Sequence, residues 1–149
     1  MNDARIKELI ESKRLIPRPK DTQLIKTLLL SAERTAVAVQ KIVSHFTLTE
    51  EMSTLVFREM YEAIRQLGDA RWRIIGYEVS NSHGTSMEIL KEEKVTQALK
   101  LQKLEQFRAI RRNANYQAHT VLVEQAEQIL DFWGSCGKEI LENLKREVT

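Results

Sequence analysis

The sequence predicts an all-α protein, an antiparallel up-and-down bundle of about five helices. Apolar residues recur every three or four positions over long stretches, the spacing of one helix face. Only five glycines and two prolines punctuate 149 residues, too few for the many turns of an all-β domain. No stretch of useful length alternates apolar and polar residues as a half-buried strand does.

Residues 3–14 read as a short helix with Ile6, Leu9 and Ile10 on one face. Leu15-Ile16-Pro17-Arg18-Pro19 ends it, because each proline pushes its predecessor out of the helical region. Lys13, Arg14, Arg18 and Lys20 make this linker basic, either a solvated connector or a phosphate contact. Asp21 is a good N-cap for the second helix, whose stripe is Leu24, Leu28, Ala32, Ala36, Val39, Val43 and Phe46. Thr47-Leu48-Thr49-Glu50 reads as a capping box in which Thr47 and Glu50 satisfy each other's orphan amides.

A long third helix runs from about Thr49 to Glu78, carrying Met52, Leu55, Val56, Met60, Ala63, Ile64, Leu67, Ile74 and Ile75. At full length it would span roughly 45 Å. The polar turn Ser80-Asn81-Ser82-His83-Gly84 stops it, and Thr85-Ser86-Met87-Glu88 reads as a second capping box. The fourth helix carries Ile89, Leu90, Val95, Leu99, Leu104, Phe107 and Ile110, with Lys100, Lys103, Arg108, Arg111 and Arg112 exposed. The fifth has Val121, Leu122, Ala126, Ile129, Leu130 and Trp133, and Ile140, Leu141 and Leu144 follow a bend at Gly134-Ser135-Cys136-Gly137.

With 42% hydrophobic and 30% charged residues, the composition is that of a globular domain with a highly charged surface. One domain over 1–149 is expected, with 1–19 a short helix and basic proline linker and 20–147 the bundle core. A net charge of +2, from 23 basic and 21 acidic side chains, demands no polyanionic partner, so any nucleic-acid surface must be a local patch. The single cysteine, Cys136, excludes an internal disulfide and a thiolate zinc site, and it reads as a buried packing residue. Met1-Asn2-Asp3-Ala4-Arg5 is polar, without an apolar signal region, and no apolar run approaches a membrane span. A cytoplasmic location without a membrane partner is expected.

There is no Gly-rich phosphate loop, His-Glu-x-x-His pair or Gly-x-Ser-x-Gly elbow. His45, His83 and His119 are far apart in sequence, and neither a metal nor a cofactor is expected. Trp72 and Trp133 read as core or dimer-interface residues. The sharpest functional clue is the polar run Arg111-Arg112-Asn113-Ala114-Asn115-Tyr116-Gln117-Ala118-His119. On unbroken helix, seven residues turn through almost two revolutions, so Arg112 and His119 would share a face. Arginine grips phosphate bidentately and histidine shuttles protons near neutral pH, although a structural polar network fits the same residues. Asn113 and Asn115 are weak helix formers, so a second outcome is a helix that ends near Tyr116 and leaves His119 in a turn.

Over roughly residues 20–147 the chain resembles the HEPN domains, the "higher eukaryotes and prokaryotes nucleotide-binding" helical bundles. The resemblance rests on Tyr61-Glu62-Ala63, then Gly76-Tyr77, then Ser82-His83 before Ile89-Leu90, and on Arg111-Arg112-Asn113 with Tyr116 before Glu124-Gln125-Ala126. Many such proteins are metal-independent ribonucleases marked by arginine, a polar residue, and histidine after four to six intervening positions; Arg112, Asn113 and His119 fit with six. The resemblance implies that Arg112 holds the scissile phosphate, Asn113 helps position it and His119 acts as general acid or base. Arg108, Arg111, Lys103 and Tyr116 would then contact nucleotide or RNA. It also implies a homodimer and a toxin paired with a nucleotidyltransferase-type antitoxin. Related bundles with arginine-asparagine and a downstream tyrosine lack the catalytic histidine, so Tyr116 keeps open a non-catalytic module for a nucleotide or partner protein.

Overall fold

The computed structural model describes residues 1–80 and 83–149, and only the backbone of His83 and Tyr116. The expected turn at Asn81 and Ser82, the Ser82-His83 piece of the resemblance and the expected contact of the Tyr116 side chain lie outside the described residues. Helix accounts for 77% of the chain, as the apolar periodicity requires. The elements are α1 (Asp3–Glu11), β1 (Leu15–Pro17), α2 (Thr22–His45), α3 (Glu50–Ile74), β2 (Tyr77–Val79), α4 (His83–Glu88), α5 (Lys103–Tyr116), α6 (Val123–Phe132) and α7 (Lys138–Val148).

The first departure from the sequence reading is a two-stranded antiparallel ribbon, pairing Leu15 with Val79 and Pro17 with Tyr77. Residues 15–17 are therefore not a solvated connector; Leu15 is buried. Helix α1 ends in a left-handed turn at Lys13 (φ 61°), where the Lys13 amide donates to the Ile10 carbonyl and the Arg14 amide to Leu9. That turn aims the chain along β1. On the partner side, Gly76 (φ 98°) ends α3 and starts β2, four residues before the expected end of that helix. The ribbon covers a small core of Leu9, Leu15, Trp72 and Ile89. Trp72 donates its indole N–H to the Thr85 carbonyl at 2.8 Å and meets Tyr77 edge-on at 6.1 Å.

The main core lies around α3. Helix α2 packs antiparallel against it, with Ala32 and Ala36 letting the backbones approach. Ile25 and Leu29 point inward, while Leu24 and Leu28 lie at the margin and Phe46 is 64% exposed. The expected stripe is thus rotated by one residue in its first half. Asp21 caps α2 through its side chain, accepting from the Leu24 amide. The cap of α3 is Thr49, not Thr47: its hydroxyl accepts from the Met52 amide. Tyr61, Phe57, Phe107 and Phe132 form an aromatic ladder that joins α3 to α5 and α6, with neighbouring ring centroids 5.5–6.3 Å apart.

The expected fourth helix is broken. Helix α4 is followed by 3₁₀ turns at Ile89–Glu92 and Ala98–Gln102, and α5 starts only at Lys103. Tertiary partners capture the backbone between them. The Glu139 carboxylate accepts from both the amide and the hydroxyl of Thr96, and Asn143 donates to the Lys94 carbonyl. Thr85 and Ser86 are buried inside α4 rather than heading a capping box, and Glu88 is taken by Arg5. An added Cβ at Gly68 would sit 1.9 Å from the Ser86 carbonyl oxygen, so α4 lies directly on α3 at that glycine. The bend expected at Gly134–Gly137 is a single π-helical turn, Trp133–Gly137, that carries α6 into α7. Cys136 is buried in this turn, and burial pushes its thiol up, as expected for a packing residue.

Tyr61, Trp72 and Trp133 are all consumed by the chain's own core. Of the two readings the sequence offered for Trp72 and Trp133, core or dimer interface, their burial fits the core.

Candidate functional site

Helix α5 ends at Tyr116, so the unbroken helix that would align Arg112 with His119 is not formed. The Gln117 and His119 amides both donate to the Asn113 carbonyl, at 3.0 and 3.3 Å, and Ala118 adopts φ 53°. These bonds satisfy the helix end and turn the chain away from the helix axis. The returning strand of coil is anchored where the Val121 amide donates to the Thr54 hydroxyl on α3 at 3.2 Å. The Gln125 side chain then accepts from the Leu122 amide and starts α6.

His119 is exposed and lines a cavity of about 350 Å³ with Ile110, Asn113, Thr120, Val121, Leu122 and Gln125. Two of the three expected catalytic residues, Asn113 and His119, therefore share a cavity; Arg112 stands outside its lining.

Arg112 instead belongs to a basic face on α5. It lies one turn beyond Arg108, and both are exposed. Arg111 flanks them, half-buried, with its guanidinium carbon 6.0 Å from the centre of the Tyr61 ring. Tyr61 is only 1% exposed. Burial pushes its hydroxyl above the ordinary tyrosine range, and the positive charges of Arg108, Arg111 and Arg65 pull against that rise. Tyr61 thus forms the floor beneath Arg111. The Glu105 carboxylate lies 3.7 Å from Arg108, and the Lys91 ammonium beside it holds it below the ordinary carboxylate range. Lys103, grouped with these residues from the sequence, is rotated by roughly 140° about the helix from Arg108. Lys100 is engaged by Asp131 at 2.9 Å and Ser135 at 3.1 Å.

Sequence reasoning missed Arg58, which ties α3 to the end of α5 through the Asn115 side chain at 3.1 Å. Nothing in its sequence position signals that contact, because the partner lies 57 residues away. Among the described residues, no group of three or more His, Cys, Asp or Glu side chains is placed to share a metal ion. None of the described helices is long and apolar enough to cross a membrane. Compared with family models, curated proteins and solved structures, the chain matches none.

Proposed function

We propose that this chain is a non-catalytic helical module that binds RNA or a nucleotide through the phosphates, using Arg108, Arg111 and Arg112 of α5. The observation that carries this reading is the arginine face itself: Arg108, Arg111 and Arg112 lie within about one turn of α5, Arg111 sits over buried Tyr61, and the Glu105 carboxylate approaches Arg108 only to 3.7 Å. Guanidinium groups fork onto phosphate oxygens, and a rigid aromatic floor limits the side-chain entropy lost on binding. The end of α5 at Tyr116 supports a role without catalysis, because His119 then lies beyond the helix that carries the arginines.

A second reading, the metal-independent endoribonuclease of the HEPN resemblance, is favoured by one observation: Asn113 and His119 line the same cavity. There, a ribose 2′-hydroxyl would lose its proton and attack the adjacent phosphate, breaking the P–O5′ bond so that the next nucleotide leaves as a protonated 5′-hydroxyl and a 2′,3′-cyclic phosphate remains, with His119 as general acid or base. The homodimer and the nucleotidyltransferase-type partner are proposals that rest on the resemblance alone.

One RNA-binding and cleavage assay separates the two readings. In the binding module, Arg112→Ala weakens binding by about tenfold or more, the worth of one charge-assisted contact; His119→Ala changes little and no RNA is cut. Metal-independent cleavage that falls about 10²–10⁴-fold in His119→Ala, the usual range for a general acid or base, would overturn the module reading.

A further inference from the structure

A second basic site lies on the other flank of Arg108. A polar cavity of about 160 Å³ is built by Arg5 of α1, Arg14 at the start of the ribbon, Gly84 and Glu88 of α4, Lys91 of the following turn, and Glu105 and Arg108 of α5. These residues come from four separate stretches of chain, so their meeting is not the by-product of one helix face. Four basic groups line the cavity against two carboxylates.

Pairing among these groups leaves two guanidinium groups under-used. Arg5 is forked onto Glu88 at 2.7 and 3.0 Å, and it also meets Glu8 at 3.0 Å. Lys91 holds Glu105 at 2.6 Å. Arg108 reaches the same carboxylate only at 3.7 Å, beyond hydrogen-bond range. Among the described residues, Arg14 has no carboxylate partner, although its backbone is fixed on both sides: its amide donates to Leu9 and its carbonyl accepts from Ser80. Gly84 lets the Arg108 guanidinium lie against the α4 backbone, since an added Cβ there would meet that group at 2.6 Å.

We infer that this cavity is a site for a terminal phosphate, a phosphomonoester whose oxygens are taken by Arg14 and Arg108 while Arg5 and Lys91 hold the two carboxylates aside. A dianionic phosphate matches the excess of basic over acidic groups. The volume suits a single phosphoryl group and is well below the roughly 300–1,000 Å³ of sites that enclose a whole drug-sized ligand, so the remainder of the ligand stays outside. The inference deepens the RNA- or nucleotide-binding reading and rests on it for the choice of ligand. A free nucleotide and the 5′ end of an RNA both supply this group.

The test compares binding of AMP with adenosine, and of a 5′-phosphorylated oligoribonucleotide with its 5′-hydroxyl form, by calorimetry on the full chain. Preference for the phosphorylated member of a pair by about tenfold or more is expected, the worth of at least one charge-assisted contact. Preference with AMP alone assigns the site to free nucleotides; preference in both pairs includes RNA ends. Arg14→Gln should abolish the preference. So should Gly84→Ala, whose methyl displaces only the tip of the Arg108 side chain and leaves the circular dichroism and melting temperature close to wild type. Absence of RNA binding with the AMP preference intact would sink the reading of the α5 face and leave this site standing. Equal binding of phosphorylated and unphosphorylated ligands by the wild type, or an undiminished preference in Arg14→Gln, would overturn it.

Discussion

Ala118 and Lys13 are the non-glycine residues with positive φ among those described, and both follow a helix end. A left-handed conformation costs a non-glycine residue about 1–2 kcal/mol, part of which glycine gives back through its freer unfolded state. Ala118→Gly is therefore expected to raise stability by up to about 1 kcal/mol in a urea melt. Loss of about 1 kcal/mol instead, as for glycine in a helix interior, would mean that α5 continues through residue 118 and that Arg112 and His119 share a face after all. Gly68 is the opposite case. A methyl there meets the Ser86 backbone rather than a flexible side chain, so Gly68→Ala should cost about 3 kcal/mol or more through overpacking. Asp69 supplies a pH signature. Burial pushes its carboxyl above the ordinary aspartate range, against the hydrogen bond from Ser86 and the charge of Arg65. A raised carboxyl favours the folded state most at low pH, and that contribution is lost as pH rises through the folded value. The stability of wild type minus that of Asp69→Asn should fall as pH increases from about 4; a difference that grows with pH would contradict the buried placement of this carboxyl.

At the scale of elements, what was legible followed from local rules. Asp21 caps α2, and the apolar spacing of α3 marks Met60, Ala63, Ile64 and Leu67 as core. The ribbon was illegible because three residues are too few to show alternation, and its pairing depends on Gly76, 59 positions beyond Pro17. The break after α4 was illegible for a similar reason. Residues 93–97 hold no glycine or proline, and their helical hydrogen bonds are displaced by Glu139 and Asn143, which arrive from α7. Arg71 fastens the same region. It forks onto Glu93, whose side chain is 6% exposed, at 2.5 and 2.9 Å and onto Glu147 of α7 at 2.6 and 2.9 Å. Arg71→Ala should cost about 2–3 kcal/mol by leaving Glu93 buried without its partner, less than a fully buried pair because Glu147 is exposed to solvent screening. Calorimetry showing an unchanged melting temperature would contradict a structural role for this fork. Of the two outcomes the sequence left open for the candidate residues, the helix that ends near Tyr116 is the one formed. Arg112 and Asn113 are adjacent in sequence, but only Asn113 joins His119 at a common cavity.

At the scale of the whole molecule, α3 is the axle. It packs on α2, α4, α5, α6 and α7, and its two ends belong to different cores, the main one and the smaller one around Trp72. Tyr61, Trp72 and Trp133 are spent holding this arrangement together. A homodimer would have to use other apolar side chains, of which Leu99 (82% exposed) and Phe46 are the most open. Sedimentation velocity at tens of micromolar, an order-of-magnitude range for weak assembly, is expected to show a dimer if the HEPN resemblance extends to assembly. A monomer throughout would confine the proposed phosphate-binding face to one chain. The surface carries almost balanced charge, so electrostatic attraction to a polyanion must come from local excess on α5 rather than from the molecule's net +2. The most direct measurement of that claim is the salt dependence of single-stranded RNA binding. The slope of log K against log salt is about −0.7 per phosphate contact on a single strand. Arg108, Arg111 and Arg112 together should give about −2, and Arg112→Ala should be shallower by about 0.7. A slope near zero in the wild type, or an unchanged slope in Arg112→Ala, would contradict phosphate binding by this face.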